Sequence, residues 1–143
     1  MNYPPEAILH LARLIKGNNE GGLWLQKNNY PELILLHLAL KGDEDAMKEL
    51  AKRKHAVLTA FAHAMYNDDA HAAKWLAENK KFEWAAVARI VNKKDRAAEA
   101  WLMKHKLIHF AGLAKVMREK EQETQDEDIA GMLRKFIRSF RKK

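Results

Sequence analysis

Apolar residues recur along this chain in short helical stretches that are separated by polar turns. Within a stretch they fall at i, i+3 and i+7, as in Trp84, Val87 and Val91. This spacing places the apolar side chains on one face of a helix. β-Branched residues are few, and no alternating apolar run lies between turn residues. The pattern therefore predicts an all-α fold.

The helices belong to a repeat of about 26 residues, whose phase is marked by Trp24, Leu50, Trp75 and Trp101 at intervals of 26, 25 and 26. A period of this length is typical of proteins in which similar helical units stack on one another. We therefore expect a right-handed α-solenoid of about four helix pairs over residues 1–120. The Trp side chains are expected to be buried contacts between neighbouring units.

Each unit divides into a first helix, A, and a second helix, B. Helix A is expected to begin at an aspartate, because that side chain accepts hydrogen bonds from free backbone N–H groups. Just past helix B, a residue in the left-handed conformation is expected. The predicted caps at the start of helix A are Asp43, Asp68 and Asp95, and the predicted left-handed residues are Gly42, Asn67 and Asn92.

The stretch from Leu38 to Ala51, which is echoed from Trp75 to Asn79, carries a resemblance to known repeats. It resembles the short αα-repeats of the leucine-rich repeat variant and HEAT-like classes. Prolines typical of the variant class are missing from the turns between the helices, except for Pro31. The resemblance implies a rigid surface that binds a partner, without an active site.

The turns from helix A to helix B are basic, whereas the turns from helix B to helix A are mostly acidic, as at Asp43–Asp45. Stacked units are expected to align the basic turns along one edge of the molecule. We call this predicted surface the basic ridge. Its residues are Lys27, Lys52, Arg53, Lys54, Lys80, Lys81, Lys104 and Lys106.

Two interpretations of the basic ridge stay open. Lysine near the end of a helix complements the helix dipole, so the ridge can be a set of helix caps. The net charge of +7 and the run Lys52-Arg53-Lys54 favour binding instead. The leading hypothesis is a non-enzymatic interaction module for a protein partner with an acidic surface. The alternative is nucleic-acid binding through the ridge, although no aromatic residue is interleaved with the basic turns.

The C-terminal segment, residues 121–143, departs from the repeat. The polar stretch 119–128 predicts a linker, and the apolar residues from Ile129 to Phe140 then follow the spacing of an amphipathic helix with a basic end. We expect this helix to cap the last unit or to extend from it; docking on a partner or on an anionic membrane is the alternative. In that role the helix would use Arg134, Lys135, Phe136, Arg138, Phe140 and Arg141.

The residue types needed for catalysis and metal binding are sparse. Cysteine is absent, and the one serine, Ser139, lies in the basic C-terminal segment. His10, His37 and His63 recur once per unit, and equivalent residues of stacked helices lie about 9–10 Å apart, too far to share a metal ion. We therefore predict no catalytic residue, metal or cofactor.

An enzyme remains the third hypothesis. It would require a cleft that joins Trp84, the best candidate for a ligand-stacking ring, to a perturbed carboxylate such as Glu83. The N-terminus lacks the features of a signal peptide, and no run of 18 apolar residues is present. A cytoplasmic location is therefore expected, and a membrane partner is not favoured.

Overall fold

The computed structural model describes residues 3–66 and 68–141, with the backbone alone at 124–129, 136 and 139–141. Within these ranges the chain forms nine α-helices and no strand, so the predicted all-α class is confirmed. Turns of two or three residues join the helices, which makes sequential helices antiparallel. The helices are α1 (Pro5–Lys16), α2 (Asn19–Lys27), α3 (Pro31–Leu40), α4 (Glu44–Lys52), α5 (Ala56–Tyr66), α6 (Ala70–Glu78), α7 (Phe82–Lys93), α8 (Arg96–Lys104) and α9 (Ile108–Arg141).

The four turns that follow α2, α4, α6 and α8 share one backbone geometry. In each turn a leucine carbonyl accepts a hydrogen bond, of 2.8 to 3.0 Å, from the N–H five residues later. The residue before that donor has a positive φ, between 58° and 66°. This arrangement is the Schellman motif, which uses carbonyls that the helix end would leave unpaired. The left-handed residues are Asn29, Lys54, Lys80 and Lys106.

Aspartate and asparagine side chains begin the A helices. Asp43 accepts from Ala46 N–H, and Asp95 accepts from Ala98 N–H, both at 3.1 Å, as predicted. The prediction of Asp68 as the cap of α6 is wrong. Asp68 has a φ of 50°, and its neighbour Asp69 makes the cap. A left-handed residue is thus needed to turn the chain before the cap can form.

The left-handed residues after the B helices match the sequence prediction in part. Gly42 has a φ of 95°, as expected. Asn92 instead lies inside α7, where its side-chain amide donates to the Ala64 carbonyl at 3.2 Å, and Lys94 takes the left-handed conformation. Asn67 lies outside the described residues.

The large side chain that each A helix buries is leucine. Leu25, Leu50, Leu76 and Leu102 are 0% exposed, and each supplies the accepting carbonyl of a Schellman turn. The expectation that the Trp residues are buried contacts is therefore confirmed only in part, because they pack against the core but the fully buried position is the next residue. Because one residue rotates the side chain by about 100° on a helix, the preceding position lies at the edge of the buried face. Trp24, Trp75 and Trp101 occupy that position and are half-buried.

Trp84 lies at the centre of an aromatic core. It is 3% exposed, and its ring is 4.9 Å from that of Phe61 and 5.1 Å from that of Phe110, in edge-to-face geometry. Tyr3 completes the cluster at 6.4 Å. The minority interpretation of Trp84 as a ligand-stacking ring is therefore not supported, because rings of α5 and α9 cover it.

The B helices form an inner layer whose two ends meet. Helices α1, α3, α5, α7 and α9 contact one another in that order, and α1 also contacts α9. In an open solenoid each unit would contact only its neighbours. Helices α1 and α9 meet because both ends of the chain contribute to the aromatic core. Tyr3, just before α1, and Phe110, in α9, both contact Trp84.

Helix α9 is far longer than the helices that it contacts. It has 34 residues, whereas α1 and α7 have 12 residues each. The prediction of a linker at 119–128 is wrong, because these residues continue the helix. Within the described part of the chain, no helix combines the length and the apolar character needed to cross a membrane.

Candidate binding surface on the basic edge

The shared turn geometry places the basic ridge at one end of the A helices. Lys27, Lys52 and Lys104 are the last residues of α2, α4 and α8. Arg53 and Lys54 lie in the turn after α4. Lys80, Lys81 and Lys106 occupy equivalent turns after α6 and α8. All of the ridge side chains are exposed except that of Lys81, which is half-buried.

The ridge cations are little used by the fold itself. Arg53 Nε pairs with Glu49 Oε1 at 2.8 Å, and the hydrogen bond from Arg53 holds the pKa of the Glu49 carboxyl below its usual value. Among the described residues, the other ridge cations form no ion pair. Their charges are therefore available to an external anion.

The backbone at this edge adds little negative charge to oppose the lysines. The A helices end there, but the Schellman turns already satisfy carbonyls of their last residues. The B helices begin there, and the starts of α1, α3 and α7 have no hydrogen bond from a capping side chain. A helix start carries partial positive charge, so it reinforces the field of the lysines.

Aromatic rings lie beside the ridge, which the sequence analysis missed. The ring of Trp101 lies 4.4 Å from that of His105, inside the basic turn 104–106. Trp24 stacks on His10 at 4.3 Å and lies parallel to Tyr30 at 6.1 Å. The sequence contains this information, because each of these Trp residues precedes the first residue of the turn after its helix by four positions. Residues four apart lie on the same face of a helix.

Three aspartates of the opposite edge form hydrogen bonds within the fold. Asp43, Asp69 and Asp95 accept hydrogen bonds from backbone N–H groups at 2.9 to 3.3 Å. These carboxylates act as helix caps, so they do not form a general acid–base pair.

The surroundings of His10 and His37 lower the pKa values of both side chains. No group of three or more potential metal ligands occurs within the described residues. Burial, with a smaller effect from Lys41, lowers the pKa of His37 to about 4. Burial also lowers the pKa of His10, whose Nδ1 atom is buried without a hydrogen bond. These histidines are neutral at physiological pH and belong to the packed interior or its border.

A surface cavity of about 810 Å³ lies beside α7, α8 and α9. Apolar residues such as Ile90 and Ile108 line it, together with three cations and three carboxylates. Neither Trp84 nor Glu83 lines this cavity. This cavity is therefore not the cleft between Trp84 and Glu83 that the enzyme hypothesis requires.

In the C-terminal half of α9, the described cations of the predicted partner helix are exposed: Arg134, Lys135 and Arg138. The side chains of Phe136, Phe140 and Arg141 lie outside the described residues.

Comparisons with protein-family models, curated proteins and solved structures gave no match. The resemblance to leucine-rich repeat variant and HEAT-like units stays a prediction.

Proposed function

We propose that this chain is a non-enzymatic interaction module that binds an acidic protein surface along its basic ridge. The observation that carries the proposal is the recurrence of exposed cations at four turns of the same geometry. Among the described residues, Arg53 is the one ridge cation that forms an ion pair. Clusters of charges of one sign attract an oppositely charged partner and raise the rate at which the two associate. The cytoplasmic location expected from the sequence stays a prediction.

The proposed scaffold is a helical repeat whose units are α2–α3, α4–α5, α6–α7 and α8–α9, preceded by α1. The left-handed turn residues support this division, since they recur at intervals of 25, 26 and 26. The described A helices do not contact one another, so neighbouring basic turns are spaced by at least the about 8–10 Å that separates packed helices. A rigid series of cations at this spacing suits an extended acidic segment better than a single carboxylate.

Nucleic acid is the second candidate partner, and the half-buried Trp residues favour it. Single-stranded nucleic acids bind where aromatic rings for base stacking adjoin cations for the phosphates. Trp101 with His105, next to Lys104 and Lys106, offers both features within one turn of helix. Against this candidate, Trp24 is already stacked on His10, and Glu49 takes the Trp position in α4.

The test is fluorescence anisotropy of the full chain with labelled poly-glutamate, single-stranded RNA and DNA, and duplex DNA. The ridge variant carries Lys52→Glu, Lys80→Glu and Lys104→Glu. The matched control carries Lys41→Glu, Lys48→Glu and Lys93→Glu, which are also exposed and whose replacement changes the net charge by the same amount. We expect poly-glutamate binding that the ridge variant loses at least about tenfold and the control largely retains.

Equal loss in both variants would mean that net charge alone drives binding, and it would contradict the ridge proposal. Binding of the nucleic acids in preference to poly-glutamate, with a steep linear fall of log affinity with log salt, would move nucleic acid to first place. Thermal unfolding of each variant checks that the fold is retained.

A further inference from the structure

The C-terminal half of α9 extends beyond the body of the molecule. At 1.5 Å per residue, its 34 residues span about 50 Å, whereas α1 and α7, of 12 residues each, span about 18 Å. Among the side chains of α9 that the structure describes, the last buried one is Met117. None of the described side chains beyond Met117 is buried. The helix therefore has no partner within the chain over this half, among the residues that are described.

This projecting half presents apolar side chains to solvent. Met132 is 71% exposed, Leu133 is 57% exposed and Ile137 is 51% exposed. By sequence spacing, Ile129, Phe136 and Phe140 belong to the same helical face, although their side chains are not described. A contiguous apolar stripe of this kind on an isolated helix marks an interaction surface.

The charges that flank the stripe indicate which partner fits. Asp126, Glu127 and Asp128 precede it in the sequence, and Arg141, Lys142 and Lys143 follow it. If two copies of the segment align in antiparallel fashion, each acidic triplet lies beside the basic triplet of the other copy. A parallel alignment would place like charges together, which destabilises helix pairs.

We propose that α9 pairs two copies of this chain as an antiparallel helix dimer through the apolar stripe at 129–140. The length of the projection fits this arrangement. An overlap of residues 126–141 in both copies is about 24 Å long and starts beyond Met117, so the two bodies lie at opposite ends without clashing. An anionic membrane would attract the basic end of the segment but repel the acidic triplet, whereas an antiparallel second copy pairs both ends.

The first test is sedimentation equilibrium of the full chain over a wide concentration range. Because a short helix pair buries a small area, we expect a reversible shift from monomer to dimer mass as concentration rises. The variant Leu133→Glu with Ile137→Glu should raise the dissociation constant at least about tenfold. Its thermal unfolding should match that of the wild type, because both residues lie outside the packed body. A monomer at all concentrations would overturn the proposal.

A charge-swap variant tests the antiparallel orientation. It carries Asp126→Lys, Glu127→Lys and Asp128→Lys together with Arg141→Glu, Lys142→Glu and Lys143→Glu. Antiparallel pairing predicts that this variant dimerises with itself as the wild type does but does not mix with the wild type. Mixing without self-association would indicate parallel pairing and overturn the proposal. A wild type that stays monomeric but floats with phosphatidylserine vesicles would also overturn it, in favour of a membrane.

Discussion

The acidic edge and the basic edge look alike in the sequence, as runs of like charge at regular intervals, yet they differ in what their charges contact. Asp43, Asp69 and Asp95 accept hydrogen bonds from the first N–H groups of α4, α6 and α8. On the basic ridge, Arg53 is ion-paired with Glu49, and the other cations form no ion pair within the described residues. These three aspartates thus stabilise the fold, whereas the ridge cations other than Arg53 are available for binding.

This difference follows from how each kind of turn is held. A turn into an A helix needs a side-chain acceptor, because no backbone group satisfies the first N–H groups of the helix. A turn out of an A helix is closed by backbone hydrogen bonds and by a buried leucine, such as Leu50. The side chains of that second turn are therefore free to vary with function.

The largest effect is expected when the leucine that anchors a basic turn is truncated. Leu50→Ala should lower the free energy of unfolding by about 2–5 kcal/mol, because Leu50 is 0% exposed and its removal leaves a cavity. Urea denaturation followed by circular dichroism measures the change. Leu23→Ala, at a residue of α2 that is 66% exposed, is the matched control and should change stability by less than about 0.5 kcal/mol. Equal losses in the two variants would contradict the assigned register.

A smaller loss of stability is expected when the pH is lowered, because His37, near the acidic edge, then favours the unfolded chain. His37 lies in the last turn of α3, before Gly42 and Asp43, and its pKa is about 4 in the folded chain. An unfolded histidine has a pKa near 6.5, so below that pH the unfolded chain binds a proton that the folded chain does not. Stability should therefore fall as pH decreases from about 6.5 to 4, by on the order of 2–3 kcal/mol.

Urea denaturation across this pH range measures the loss for the wild type and for His37→Gln, which does not titrate. The variant should lose less stability on acidification, although His10 and His109, whose pKa values burial also lowers, contribute a remainder of the same sign. Identical pH dependence in the two proteins would show that His37 is not the group responsible.

The secondary structure and the period were predictable from the sequence because they depend on local spacing. The register was not, because Trp24 and Leu25 are adjacent and either can mark the phase. The larger size of Trp favoured it as the buried residue. In the structure the buried residue is instead the leucine, whose carbonyl closes the turn. Likewise, Asp68 and Asp69 were indistinguishable until the backbone showed which of them has a positive φ.

The basic ridge was predictable, whereas its aromatic neighbours and the meeting of α1 with α9 were not. The cations in the turns recur at regular intervals along the sequence, so they can be recognised without a structure. The stacking of Trp24 on His10 joins α2 to α1, and the contact of α1 with α9 joins the two ends of the chain. The linker predicted at 119–128 failed for another reason, since a polar composition does not prevent a helix from continuing.

The most direct test compares the unfolding free energies of two triple variants in urea. One carries Asp43→Ala, Asp69→Ala and Asp95→Ala, and the other carries Lys52→Ala, Lys80→Ala and Lys104→Ala. Each lost cap costs about 1 kcal/mol, and distant sites add, so the first variant should lose about 3 kcal/mol. The lysine variant should lose less than about 1 kcal/mol, because its side chains are exposed and form no ion pair among the described residues. Equal losses would contradict the account and show that the ridge lysines serve the fold as helix caps.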